Sequence, residues 1–180
     1  MKEYDLPFLG KARVWLGSLP VLERDEGEHL VRVLPARSGP NGLRRMAAVE
    51  LYLPAGARIR YALLGATFVP GPGADLTIDL PVSEGTTDRI DWALAANVDE
   101  VRVGLKREYA EGIFGGLDSA GVTLGSGRLN LGPGGHSKVG SSSSIFKHAS
   151  RALLRILSLD HESPTDETIQ GILVLSSAEK

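Results

Sequence analysis

The chain contains no cysteine in its 180 residues, which excludes disulfides, thiolate metal sites and cysteine nucleophiles. Aromatic residues are scarce at 6%, so a sheet that stacks bases on aromatic rings is not expected. No apolar run reaches the ~18 residues a membrane helix needs. The opening Met1-Lys2-Glu3-Tyr4-Asp5 lacks the basic-then-apolar pattern of a signal peptide. The expectation is a soluble cytoplasmic protein with no membrane contact. Net charge is also small: 20 Lys and Arg against 22 Asp and Glu leave −2, which argues against a protein that coats nucleic acid uniformly.

Enzyme motifs are missing too. There is no Gly-x-x-x-x-Gly-Lys-Ser/Thr phosphate loop. The four histidines, His29, His136, His148 and His161, show neither His-Glu-x-x-His spacing nor an i,i+4 pair, so no metal site and no cofactor are expected. Leu117-Asp118-Ser119-Ala120-Gly121 imitates a serine elbow but has Leu where the first Gly is required. His148 follows Ser144 by one helical turn, with no acid in sequence to orient it. The expectation is a non-enzymatic protein.

What is present is a turn-rich chain with 22 Gly and 10 Pro. Val49-Glu50-Leu51-Tyr52-Leu53 and Leu76-Thr77-Ile78-Asp79-Leu80 alternate as half-buried strands do. Strands and hairpins are expected up to about residue 82. From Lys106 to Ala120 the period becomes helical, with Tyr109, Ile113, Gly116, Leu117 and Ala120 on one face. Gly112, Gly115 and Gly116 weaken that helix and point to close packing on a sheet. Val122 to Leu131 reads as a hairpin about Gly125-Ser126-Gly127 or as one bulged strand. The clearest helix follows, with Ile145, Phe146, Ala149, Ala152, Leu153, Ile156 and Leu157 on its apolar face and Ser141 to Ser144 as N-cap candidates. A polar linker from Asp160 to Thr168 and a final strand, Gly171 to Leu175, close the chain. There is no internal repeat. This order predicts one α+β domain over 1–180, a two-layer sandwich of mostly antiparallel sheet with two helices on one face. Its core is expected at 36–158, with 1–35 as extra strands or an appendage and 159–180 as linker and last strand.

Charge is unevenly spread. Residues 71–100 hold seven acids and only Arg89, whereas 101–155 hold eight basic residues and three acids. The two stretches are complementary between copies or towards a protein partner, which supports a self-assembly or protein-interaction module. The segment Gly134 to Ser144 runs into a helix N-terminus, where free N–H groups and Lys138 favour an anion; a plain Gly/Ser loop with a serine cap is the simpler account of it. Lys147, Arg151 and Arg155 recur every four residues opposite the apolar face, as a nucleic-acid-binding ridge or as a solvated helix face.

Two segments resemble domain IV of translation elongation factor G. That family's first helix begins K-E-Y-I-P-A-V-E-K-G-I, and Arg107 to Leu117 aligns with it without a gap, sharing Glu108, Tyr109 and Gly116. Its second begins H-D-V-D-S-S-E-x-A-F-K-x-A, and here His136, Val139, Ser141, Ser142, Phe146, Lys147 and Ala149 recur, with one extra residue between His and Val. Gly140 and Ser143 stand where that family has acids flanking the serine pair. The resemblance covers about residues 99–157 and implies a ribosomal protein S5 domain 2-like fold. It also implies a tip that enters the ribosomal decoding site, carried over to Arg37, Asn41 and His136. The expected partner is therefore the ribosome or a structured RNA, bound through Arg37, Asn41, Arg44, Arg45, His136, Lys138, Ser141, Ser142, Lys147, Arg151 and Arg155. The same superfamily includes small-molecule kinases whose Gly/Ser phosphate loop Gly140-Ser141-Ser142-Ser143-Ser144 partly echoes, so a phosphate-ligand enzyme is the remaining alternative.

Overall fold

The computed structural model describes residues 1–22, 27–36, 42–83, 88–120, 124–159 and 164–178. It is an α+β fold with a mostly antiparallel sheet and three helices. The strands are β1 (Lys2–Leu6), β2 (Gly10–Leu16), β3 (Glu28–Pro35), β4 (Arg45–Ala55), β5 (Arg58–Pro70), β6 (Asp75–Val82), β7 (Val101–Val103) and β8 (Gly127–Ser137). The helices are α1 (Ala110–Ser119, entered through a 3-10 turn at Arg107–Tyr109), α2 (Ser143–Leu157) and α3 (Asp166–Ala178). Among the described residues, no helix is long and apolar enough to cross a membrane.

The sheet order is β1-β2-β4-β5-β8-β6-β3, so all three N-terminal strands join the sheet of the later ones. Alternation decides the two faces. Val49, Leu51 and Leu53 of β4, Ala62, Leu64 and Phe68 of β5, and Leu76, Ile78 and Leu80 of β6 are buried against the helices. The intervening residues Ala48, Tyr61 and Leu63 face the other way, under the segment between β6 and β7, with Trp15, Ile90, Ala93 and Ala95. That cover stops short of the β6–β3 end of the sheet, where Val31 and Val33 are 58% and 57% exposed.

Helix α2 conforms to its periodicity: all seven residues of its apolar face are buried, and Ser142 caps it by accepting from the Ile145 N–H. Three expectations are corrected. The C-terminal segment from Gly171 to Leu175 is helix, not strand. Thr165 starts that helix, its hydroxyl accepting from the Thr168 N–H at 3.2 Å, with Asp166 and Glu167 in the first turn and Ile169 and Leu173 buried on one face. Among the described residues the fold therefore carries three α-helices, not two. Gly112 and Gly116 of α1 pack on α2, not on the sheet, and Gly115 packs on neither: a Cβ at Gly112 would lie 2.0 Å from the Ser143 carbonyl oxygen, one at Gly116 would lie 2.0 Å from Ser150 Oγ, and one at Gly115 would meet nothing within 4 Å. The expected strand at Val122 and Thr123 lies outside the described residues; Leu124 is in no strand, and Leu129 to Leu131 belongs to β8.

Candidate functional site

Several of the residues singled out in sequence are committed to holding the fold. His136 lies in β8, not in a loop, and is only 5% exposed. Its Nδ1 is 3.0 Å from the Gly104 carbonyl oxygen, and burial pushes its imidazole towards the neutral form. It is not at a surface tip. Arg151 is 3% exposed, its Nε and Nη2 donating to Ser119 Oγ on α1 at 3.1 and 3.0 Å, so the α2 ridge is not a row of three solvated cations. Arg45 donates to the Leu157 and Leu159 carbonyls at 2.9 and 2.6 Å, closing the C-terminal end of α2.

The Gly/Ser segment is equally occupied. Asp99 Oδ2 accepts from the Val139 and Gly140 N–H groups at 2.9 and 3.0 Å, so the chain's own carboxylate sits where an external anion was expected. Burial raises the Asp99 pKa, but these N–H donors, with Ser137 and the Glu100 N–H, outweigh it and hold the carboxyl below its usual value. Ser141 Oγ donates to the Tyr61 carbonyl at 2.7 Å and accepts from the Ser137 N–H at 2.9 Å, tying the turn to β5. Of the other candidates, Arg44 and Lys138 are exposed, Lys147 and Arg155 are half-buried, and Arg37 and Asn41 lie outside the described residues. The charge asymmetry is partly spent within the chain: Glu100 pairs with Arg102 and lies 4.0 Å from Lys138.

A different place brings several polar groups to one cavity. Strand β8 pairs along one edge with β5, but its other edge is shared. Parallel β6 takes Gly127 to Asn130, and antiparallel β7 takes Gly135 to Ser137. Between them the sheet forks, at Gly132-Pro133, which has a cis peptide bond and faces a register shift in β5. The fork opens as a cavity of about 410 Å³, within the range of small-molecule sites. Leu105, Leu131, Pro81 and Pro133 give it apolar walls; Thr67, Asn130, Asp79 and His29 supply polar groups. The register explains their convergence: Thr67 pairs with Asn130, Asn130 with Asp79, and His29 lies opposite Pro81 two residues on.

His29 Nδ1 lies 2.6 Å from Asp79 Oδ1, with the histidine side chain 57% exposed and the carboxylate 16%. When neutral, a histidine that donates Nδ1–H to a carboxylate presents Nε2 as an acceptor. No lysine or arginine lines the cavity among the described residues, so an anion would meet Asp79 with no basic side chain but His29 to offset it. No group of three or more metal-ligating side chains is found among them either. Sequence reasoning missed this pair because its members stand 50 residues apart on strands adjacent only in the folded sheet. Alternation in Leu76 to Leu80 marks Asp79 as facing away from the helices; nothing local joins it to His29. No family profile matches the sequence, and no curated protein matches it.

Proposed function

We propose that this chain is a binding domain for a small neutral or cationic organic molecule, seated in the fork between β6 and β7 and held by the His29–Asp79 pair. The observation that carries the reading is that pair's 2.6 Å contact at a cavity whose described lining includes no basic side chain but His29. Apolar walls supply desolvation, and a few fixed polar groups orient the guest. The test is a thermal-shift panel of neutral, cationic and anionic fragments against the protein and its His29→Ala and Asp79→Asn variants. A ligand at a hundredfold its Kd adds about 2.7 kcal/mol, or roughly 5–10 °C in Tm. Neutral and cationic hits are expected to lose that shift in both variants, while the unliganded variants melt within about 2 °C of the parent. Hits that survive both substitutions, or that are chiefly anionic, would remove the proposal.

A second reading follows the resemblance to elongation factor G domain IV and assigns the chain an S5 domain 2-like core that binds the ribosome or structured RNA. Its support is that the two resembling segments pack directly on each other: Tyr109 stacks on Phe146 at 4.6 Å, and Gly112 lies beneath Ser143. Of the candidate cations, Lys138 and Arg44 are exposed and Lys147 and Arg155 are half-buried. On this reading, ribosome binding weakens with salt, and Lys138→Ala with Lys147→Ala flattens the log–log slope by about 1–2. An unchanged slope would leave only a likeness of fold.

A further inference from the structure

The two edges of the sheet are treated differently. At β1 the edge is guarded by α3: Gln170 Nε2 donates to the Asp5 carbonyl at 2.7 Å, Lys2 pairs with Asp166, and Tyr4 OH reaches Asp166 at 3.3 Å. At the other end β3 presents an eight-residue strand with no strand beside it among the described residues. Exposed edges are usually blunted by charges, prolines or bulges. Here the charged side chains are paired within the chain, and the one proline, Pro35, stands at the strand's last residue. Glu28 pairs with Arg107, His29 with Asp79, and Arg32 reaches Asp118 at 3.1 Å while lying over the Phe114 ring. The pairing of β3 with β6 runs in unbroken register from Glu28 to Pro35, so no bulge twists the edge away. On the open face Val31 and Val33 stand in solvent between His29, which is held to Asp79, and Pro35.

We infer that β3 is a dimerisation edge and that its occupant is β3 of a second copy of this chain, paired antiparallel about a two-fold axis at Arg32. The strand is self-complementary in that register. Val31 falls opposite the second copy's Val33 and Leu30 opposite its Leu34, so apolar residues meet on both faces. The one like-charge juxtaposition is Arg32 with its twin, and each is neutralised by its own Asp118, with Glu111 at 3.7 Å. A backbone edge supplies a row of donors and acceptors that another strand can pair with in place of water. The paired sheets become continuous, and the second copy's Pro35 lies beside His29 at the rim of the fork cavity.

The test is sedimentation equilibrium of the full chain from about 1 to 100 µM, the range that brackets a standard protein interface. The expected mass is twice the 19.2 kDa of the chain. A Val31→Lys, Val33→Lys variant sets four cations against one another at the seam and is expected to sediment as a monomer; both positions are exposed, so its far-UV circular dichroism should match the parent. Phe8→Ser, fully exposed at the β1–β2 turn beyond the opposite edge, is expected to stay dimeric. A parent that is monomeric throughout, a dimer that survives the double lysine substitution, or a dimer lost in Phe8→Ser would each overturn the inference.

Discussion

Gly112→Ala is expected to destabilise the protein by about 2–3 kcal/mol, a loss of roughly 5–10 °C in Tm, although alanine is the better helix former. The added methyl would stand 2.0 Å from the Ser143 carbonyl oxygen and 2.6 Å from Ser143 Oγ. That carbonyl is backbone in the first turn of α2, which cannot yield without moving the helix. Moving it would disturb the Tyr109–Phe146 stack and the Ser142 cap together. Gly116→Ala meets the same obstruction, 2.3 Å from the Lys147 carbonyl oxygen. Gly115 is the control. Nothing lies within 4 Å of its added Cβ, so Gly115→Ala should stabilise by about 0.5–1 kcal/mol through helix propensity alone. Urea titrations of the three variants decide the matter; equal effects at all three positions would mean that α1 and α2 do not cross this closely.

The second large effect concerns Glu50, a fully buried carboxylate between the sheet and the segment covering its other face. It accepts from the Tyr61 hydroxyl at 2.9 Å and the Leu94 N–H at 2.8 Å, with Arg13 Nη1 at 3.5 Å; the same Arg13 nitrogen donates to the Trp92 carbonyl at 2.7 Å. Glu50→Ala leaves a buried hydroxyl and a backbone N–H without their acceptor, at a cost of about 3–5 kcal/mol. Glu50→Gln keeps an acceptor and removes the charge, so it separates hydrogen bonding from ionisation. Burial holds the Glu50 carboxyl above its usual 4.5, and the Leu94, Tyr61 and Arg13 contacts do not cancel that rise. The native state therefore binds this proton more tightly than the unfolded chain. The stabilisation from the protonated form is complete below pH 4.5 and is lost as pH rises through the folded-state value. The stability of Glu50→Gln relative to the parent should accordingly improve with pH across that window and then level off. Asp99, held below its usual value, contributes in the opposite sense, with stability lost as pH falls. Asp99 is common to both proteins, so the difference between their unfolding curves isolates Glu50. A difference that is flat with pH would show that the carboxyl titrates normally.

Features that depend on local periodicity and local capping are legible in the residues alone. Helix α2 is legible because Ile145 to Leu157 repeats an apolar residue every three or four positions behind a serine that caps it. The alternation of Val49 to Leu53 and of Leu76 to Leu80 set which side chains enter the core. The C-terminal helix is not legible in this way, since Gly171 to Leu175 is too short an apolar run to show a period, and the cap at Thr165 is the better signal. Partnership across distance was decided by tertiary structure alone. His136 and Arg151 carry exposed-residue chemistry in sequence, yet β8 lies inside the sheet and α1 crosses over α2, which buries both. The Gly140 turn is rich in anion-binding N–H groups, yet Asp99, some 40 residues earlier, fills it. His29 and Asp79 have no local mark as a pair; they meet because β3 returns to the far edge of the sheet to lie against β6. Periodicity reports which face a residue takes, whereas the neighbour on that face is fixed by strand order and register, which are properties of the whole chain.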